Sequence, residues 1–182
     1  MLFALHLIAQ QFNKEKITWA LGGSNVLKKY GMVNEVNDID IFVTEKDVQK
    51  AEQILSNLGT KLPVEVDALY QTTFYSSYEI RDIKVDLMCD FKIVYKNQVY
   101  TYLFDKLSIT DTDDIAKVHI YYTSIEDWYV LYRLMGRGDE EKVLNLEKHF
   151  MLHGINNTKQ LIRTLETVPK ELHKKIKYKL ML

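Results

Sequence analysis

The sequence predicts an α/β (α+β) protein: a mixed, largely antiparallel twisted sheet flanked by helices, with a C-terminal helical segment. Three observations predict it. Apolar residues recur at helical spacing near the N-terminus and again after residue 124. Between residues 63 and 121, short β-prone runs follow one another with short turns, which favours antiparallel pairing. With 182 residues and 47% hydrophobic content, the chain has the material for a buried core. The expected division is an α/β part over 1–122 and a helical segment over 123–182 packed on it.

Taken in order, residues 2–13 place Leu2, Leu5, Ile8, Ala9 and Phe12 at helical spacing. This apolar start has no basic leader and reads as a core helix, not a signal peptide. Ile17–Leu21 is a short β-prone run ending at Gly22-Gly23. Residues 24–30 read as a short helix with Ser24 as its N-cap. Asp38–Val43 is a strand, with Ile39, Ile41 and Val43 on one face and Asp38, Asp40 and Phe42 on the other. Thr44, with Asp47 three residues on, reads as the cap of a helix that ends at Gly59.

Six strands are expected next: Val64–Leu69, Thr72–Ile80, Ile83–Met88, Phe91–Tyr95, Gln98–Leu103 and Ile115–Tyr122, with a hairpin turn at Lys96-Asn97. Ser124 and Asp127 then form a capping box. The helix that follows breaks at Gly136-Arg137-Gly138, and Asp139 caps the next, which runs to about His153. Helices near 158–166 and 169–181 close the sequence.

Composition excludes several classes. A formal net charge of -1 creates no global field for nucleic acid. The single cysteine, Cys89, rules out a disulfide framework and reads as a small buried hydrophobe. No apolar run reaches the ~20 residues of a membrane span, so the cytoplasm is the expected compartment and no membrane partner is expected.

Three short features carry chemistry. Glycines after a strand let backbone approach a phosphate closely, and Ser24 adds a hydroxyl donor. The same Gly-Gly-Ser taken alone is more often just a plain turn. Asp38 and Asp40 put two carboxylates on one face of a strand. Such a pair is tolerated at a wet edge or with a cation between the charges, and carboxylate oxygens suit Mg²⁺; a solvated strand start is the plain alternative. Asp86 stands in mid-strand, opposite in face to Ile83, Val85 and Leu87, where aspartate is disfavoured. Beside the 38–43 strand it would complete a three-carboxylate set for two divalent ions. Asp90, at the strand end, fits a turn residue better.

Leu21-Gly22-Gly23-Ser24, then Asp38-Ile39-Asp40 opening a strand, then Asp86 in a later strand, resembles the nucleotidyltransferase superfamily of DNA polymerase beta type over about residues 17–95. The resemblance implies that Gly22, Gly23 and Ser24 hold a nucleoside triphosphate, with ATP the expected one. It implies that Asp38, Asp40 and Asp86 ligate Mg²⁺, two ions in all, and that Asp86 helps deprotonate the acceptor hydroxyl. Many small members carry a lysine in the first helix after the sheet and a Lys-Asp pair after the break. Here Tyr132-Arg133 and Arg137-Gly138-Asp139 stand nearest, so Arg133 and Arg137 are the expected substitutes. The resemblance implies transfer of a nucleoside monophosphate from the triphosphate to a hydroxyl or phosphate on an acceptor, which is left open between a small molecule, tRNA and protein. A binding module without turnover, and a toxin-type transferase hinted at by Lys170, Lys174, Lys175, Lys177 and Lys179, are the alternatives. His149 and His153 stand at i, i+4 but lack a third zinc ligand.

Overall fold

The structure is a computed structural model, and residues 1–65 and 67–180 are described. The elements run α1 (Leu2–Lys14), β1 (Trp19–Leu21), α2 (Gly23–Lys29), β2 (Asp38–Val43), α3 (Val48–Leu58), β3 (Thr60–Leu62), β4 (Phe74–Ile80), β5 (Ile83–Cys89), β6 (Lys92–Tyr95), β7 (Gln98–Thr101), β8 (Ile109–Ile115), β9 (Val118–Thr123), α4 (Ile125–Leu134), α5 (Glu141–His153), α6 (Thr158–Leu165) and α7 (Lys170–Lys179). Seven strands form one sheet in the order β3-β4-β5-β2-β1-β9-β8, and β6 and β7 form a separate hairpin. The pairings are antiparallel except β1 with β9 and β2 with β5. The architecture is therefore the mixed, mostly antiparallel α/β sheet that the sequence predicts.

β2 is an interior strand, flanked by β5 and β1, so the two aspartates do not sit at a sheet edge. Its faces are told apart by their neighbours. Val43 lies opposite Trp19, whose ring meets Phe12 of α1 edge-on at 5.7 Å. Ile39, Ile41 and Val43 thus face α1 and the core. Phe42, on the Asp38–Asp40 face, packs against Trp128 of α4 at 5.8 Å and against Phe91 and Tyr102. The alternation places Phe42 beside the aspartates, as expected, yet it is fully buried. α4 closes the far half of this face and leaves only the Asp38–Asp40 half open.

Several local expectations change. Ser24 is not the cap of α2; Gly22 holds that position. Thr44 does not cap α3 either: its hydroxyl donates to Asp47, the cap residue, whose carboxylate also accepts from the Thr18 backbone N–H. Glu140, not Asp139, precedes the first residue of α5. The described residues of the expected Val64–Leu69 strand are loop, and Val66 lies outside the described residues, as does Met181 at the end of the expected last helix. β3 and β8 were not anticipated. β8 reads Ile-Thr-Asp-Thr-Asp-Asp-Ile, poor in strand formers; it is the outer strand, where charge also discourages pairing with another chain. Lys96-Asn97 does turn a hairpin, both residues having positive φ.

Ser124 caps α4 by accepting from the Asp127 N–H at 2.9 Å, but the Asp127 carboxylate does not close the box. It is fully buried and accepts from Tyr102 (2.7 Å), Gln160 (3.0 Å) and Thr164. This one carboxylate joins the β7 exit, α4 and α6. Burial pushes it up to about 6, while the donors around it pull the other way. Replacing Asp127 with alanine leaves three buried donors without an acceptor. The expected loss is about 3–5 kcal/mol of unfolding free energy, measured by urea denaturation. Tyr102→Phe, which removes one donor and keeps the acceptor, is expected to cost about 1 kcal/mol; equal losses in the two variants would count against this junction.

Candidate functional site

The site is assembled by register. β2 and β5 run parallel with Asp40 opposite Asp86 and Asp38 opposite Lys84. Each of Asp38, Asp40 and Asp86 offers a carboxylate oxygen, and these oxygens all lie within 4.8 Å of one another. Among the described residues this is the only group of three or more acidic, histidine or cysteine side chains so disposed. Burial, then the charges of Asp38 and Asp86, push the Asp40 carboxyl up to about 7. The cluster is thus electrostatically unsatisfied as it stands. Oxygen-only donors in this arrangement fit a hard divalent cation.

Asp86 is buried and has its own partners. Ser77, opposite it on β4, donates to Oδ1 at 2.7 Å, and Lys84 Nζ donates to Oδ2 at 2.7 Å. The Asn25 side chain donates to the Asp38 backbone carbonyl at 3.1 Å, tying α2 to the start of β2.

The glycines do different work. Gly22 donates its N–H to the Asp40 carbonyl at 2.9 Å. A Cβ there would run into the Phe42 and Trp128 rings, so Gly22 serves the close approach of α2 to the sheet. Gly23 has φ +58°, and a Cβ on it would lie on top of the Asp40 carboxylate. Gly23 and Ser24 line a cavity of about 710 Å³ together with the three aspartates.

The basic residues sort differently from expectation. Arg137 lines the cavity, and its guanidinium donates to the Tyr70 hydroxyl at 3.4 Å. Arg133 does not line it. Its guanidinium pairs with Glu147 and lies 5.0 Å from the Tyr129 ring, and Glu147 also holds Tyr129 and Lys179. A second cationic side chain that lines the cavity is Lys142 of α5, whose Nζ donates to Ser24 Oγ at 2.7 Å. Sequence reading missed Lys142, Lys84, Ser77 and Asn25. Lys142 stands 118 positions from Ser24, and no short motif joins them. Lys84, two residues before Asp86 on a strand, was findable, because alternation puts the two side chains on one face.

Other candidates fall into structural roles. Asp90 has positive φ at a strand end and pairs with Lys92. Cys89 is free and buried. The His149 and His153 rings lie 4.6 Å apart. No described helix is long and apolar enough to cross a membrane.

No protein-family model matches the sequence, and no curated protein matches it. Solved structures do. A Thermotoga maritima protein, TM1012, assigned as a nucleotidyltransferase, matches with TM-score 0.59 and 24% identity over 80% of this chain and 89% of its own. The enzyme ANT(2'')-Ia in complex with adenylyl-2''-tobramycin matches with TM-score 0.56 and 16% identity over 90% of this chain and 93% of its own. The lincosamide adenylyltransferase LnuA, lincomycin-bound, matches with TM-score 0.53 and 21% identity over 80% of this chain and 95% of its own. These likenesses establish the fold.

The contact between Gly23 and Asp40 is testable by itself. Gly23→Ala is expected to lower the unfolding free energy by more than about 2 kcal/mol, from both the backbone strain and the collision. In an Asp40→Ala background the loss should shrink to the strain alone, about 1–2 kcal/mol. Strictly additive losses in the double-mutant cycle would remove the contact from the account.

Proposed function

We propose that this chain, which has the fold of the small nucleotidyltransferases, moves a nucleoside monophosphate from a nucleoside triphosphate to an acceptor hydroxyl in a Mg²⁺-dependent reaction. The observation that carries the reading is the meeting of Asp38, Asp40 and Asp86 on one cavity wall with Gly23, Ser24 and Lys142 beside them. Three carboxylates alone would repel a triphosphate, and a lysine and serine alone would only bind one. Together they fit a site where a polyanion is held against cations on an acidic platform.

In this reading Asp38, Asp40 and Asp86 hold divalent ions. Bound there, such ions neutralise the charge that develops on the phosphoryl oxygens and the leaving pyrophosphate. Gly23 and Ser24 lie where backbone and hydroxyl contact the triphosphate, and Lys142 and Arg137 supply positive charge from the helical side. Asp86 takes the proton of the acceptor hydroxyl as that oxygen attacks the α-phosphorus and the bond to the β-phosphate oxygen breaks. ATP is the nucleotide we favour, from the adenylyl transfer of two structural neighbours. The reading also places the protein in the cytoplasm, where nucleotide and Mg²⁺ are available.

One observation favours a second reading, a nucleotide-binding module without turnover. Both oxygens of Asp86 are already occupied, by Ser77 and Lys84. A transferase must release at least the Lys84 contact when nucleotide and cation bind.

Two experiments separate these readings. Asp38→Ala and Asp86→Ala are each expected to cut pyrophosphate release at least a hundredfold while the chain stays folded. Asp38→Asn should raise the melting temperature of the cation-free protein, because one of three mutually repelling charges is gone, and should abolish the stabilisation that added Mg²⁺ gives the parent. Unchanged pyrophosphate release in the alanine variants removes the three-carboxylate mechanism, and nucleotide binding without any release selects the binding module. For the basic residues, Lys142→Ala should weaken ATP binding about tenfold by calorimetry. Arg133→Ala should leave that affinity alone and instead cost stability through the lost pairing with Glu147, which keeps only Tyr129 and Lys179. The opposite pattern would restore Arg133 to the site.

A further inference from the structure

One cation already stands on the carboxylate cluster, and it belongs to the chain. Lys84 Nζ donates to Asp86 Oδ2 at 2.7 Å and pairs with its charge, while Ser77 holds Oδ1. Lys84 and Asp86 are two residues apart on β5 and share the sheet face that carries Asp38 and Asp40. The register sets Lys84 opposite Asp38 of β2 on one side and opposite Glu79 of β4 on the other. Lys84 thus has a carboxylate along its own strand and one on each neighbouring strand. Directly opposed residues of an antiparallel pair have Cβ atoms about 5 Å apart, which suits an ion pair. Yet Glu79, an exposed residue, forms no ion pair among the described residues, and the lysine goes to Asp86. Charge accounts for the choice. Asp86 is buried with two further carboxylates beside it, so a cation gains more there than at one solvated glutamate.

That placement conflicts with a divalent ion on the same carboxylate. Such an ion sits about 2.1 Å from its oxygen ligand. An ammonium 2.7 Å from Asp86 Oδ2 would then stand no more than about 5 Å from an ion on that atom, and the two would repel. The ammonium has room to leave. The Lys84 side chain is 47% exposed, does not line the cavity and ends a flexible four-carbon stem. Glu79, directly across the β4–β5 ladder, offers it a carboxylate outside the cluster.

We propose that Lys84 is a built-in counter-ion that holds Asp86 until it gives way to a divalent ion and crosses to Glu79. The use made of that exchange rests on the nucleotidyl-transfer reading of the site; the exchange itself needs no nucleotide. In the ion-free chain Lys84 offsets part of the repulsion among the three aspartates. In the loaded chain it pairs across the sheet. Lys84 is therefore a positioning residue: it touches no reacting atom and sets when Asp86 is available. Lys142 differs, because its partner in this structure is the Ser24 hydroxyl and not a carboxylate.

The test is calorimetric titration of the full chain with Mg²⁺ and with Mn²⁺, without nucleotide, together with melting curves. Lys84→Met keeps the apolar stem and removes the charge. It is expected to bind the ion about tenfold more tightly than the parent. It should melt below the parent without the ion and level with it at saturation. The two effects are linked: a tenfold gain in affinity equals about 1.4 kcal/mol of stability lost by the ion-free chain. Lys84→Arg, which keeps the charge, should restore the parent's affinity. Glu79→Gln should weaken ion binding about threefold in the parent and leave it unchanged in the Lys84→Met background, because only the lysine uses Glu79. Lys50→Met, which removes a charge paired with Glu15 between α1 and α3, should leave the affinity unchanged. Unchanged or weaker binding by Lys84→Met, binding by neither chain, or an equal Glu79→Gln effect in both backgrounds overturns the proposal. Pyrophosphate release from ATP by the parent keeps the two ideas apart. Release with unaltered ion affinity in Lys84→Met retains the nucleotidyl reading and removes the exchange. Tighter ion binding without release retains the exchange and removes the nucleotidyl reading.

Discussion

The repulsion among Asp38, Asp40 and Asp86 is the constraint around which the sheet is built. Three carboxylates within a few ångströms do not come together by chance, since each disfavours ionisation of the others. They are brought together by backbone pairing that has no stake in the charges. β2 and β5 are interior neighbours whose opposite faces carry Ile39, Ile41, Val85 and Leu87, all fully buried. A slip of one residue in this register would turn those apolar side chains outward and the aspartates inward. The hydrophobic effect on one face therefore holds an unfavourable charge arrangement on the other. Burial then sharpens that arrangement, because Asp40 sits where α2 and α4 limit its access to water. The outcome is a cluster in which burial and the neighbouring carboxylates both disfavour the charge on Asp40.

The helical part serves the same end by a different route. α4 seals the sheet face beyond Asp40 through Trp128 against Phe42, so the open part of that face shrinks to the carboxylate cluster. α4 is itself fixed by Asp127, whose carboxylate gathers donors from three elements. α5 then brings Lys142 over Ser24, and Glu147, one turn and more further along α5, engages Arg133, Tyr129 and Lys179. The two basic residues differ in role because they differ in helix face. Arg133 points to α5 and α7 and joins helices. Lys142 points to the sheet and meets the site. An arginine that lies over the Tyr129 ring and pairs with a buried carboxylate is held in place, whereas a lysine on a hydroxyl is held by one exchangeable contact.

What could be read in the sequence followed from local rules, and what could not depended on distant chain. Period-two alternation placed Asp38, Asp40 and Phe42 on one face and Asp86 opposite its apolar neighbours. The spacing of Gly22-Gly23, Asp38 and Asp40 carried the fold resemblance. Alternation cannot say that a second layer covers half of a polar-looking face, so it placed Phe42 beside the aspartates without reporting that it is core. Caps went astray where side chains had better partners. Thr44 and Asp127 match capping motifs, but Asp47 and the Tyr102–Gln160–Thr164 group use them otherwise. β8 escaped because its residues answer to its place at the edge of the sheet and not to strand propensity. Lys142 escaped because nothing near it in sequence reports Ser24.

The charge layout of the cavity ties these points together. Its anionic groups come from the sheet and the loops at its rim, and its cationic ones, Arg137 and Lys142, come from the helical side. A ligand that carried only negative charge would satisfy the helical side and be repelled by the sheet; a ligand that carried only positive charge would do the reverse. Cations between the aspartates remove this conflict for a triphosphate, but they do so only where the three carboxylates meet. Glu35 and Asp67 lie on loops outside that meeting point, where the Asp67 carboxylate accepts from the Leu69 N–H at 2.8 Å. The division of the cavity into an acidic half and a basic half thus follows from the fold, with the sheet and its loops supplying one sign of charge and the turn and helix after α4 supplying the other.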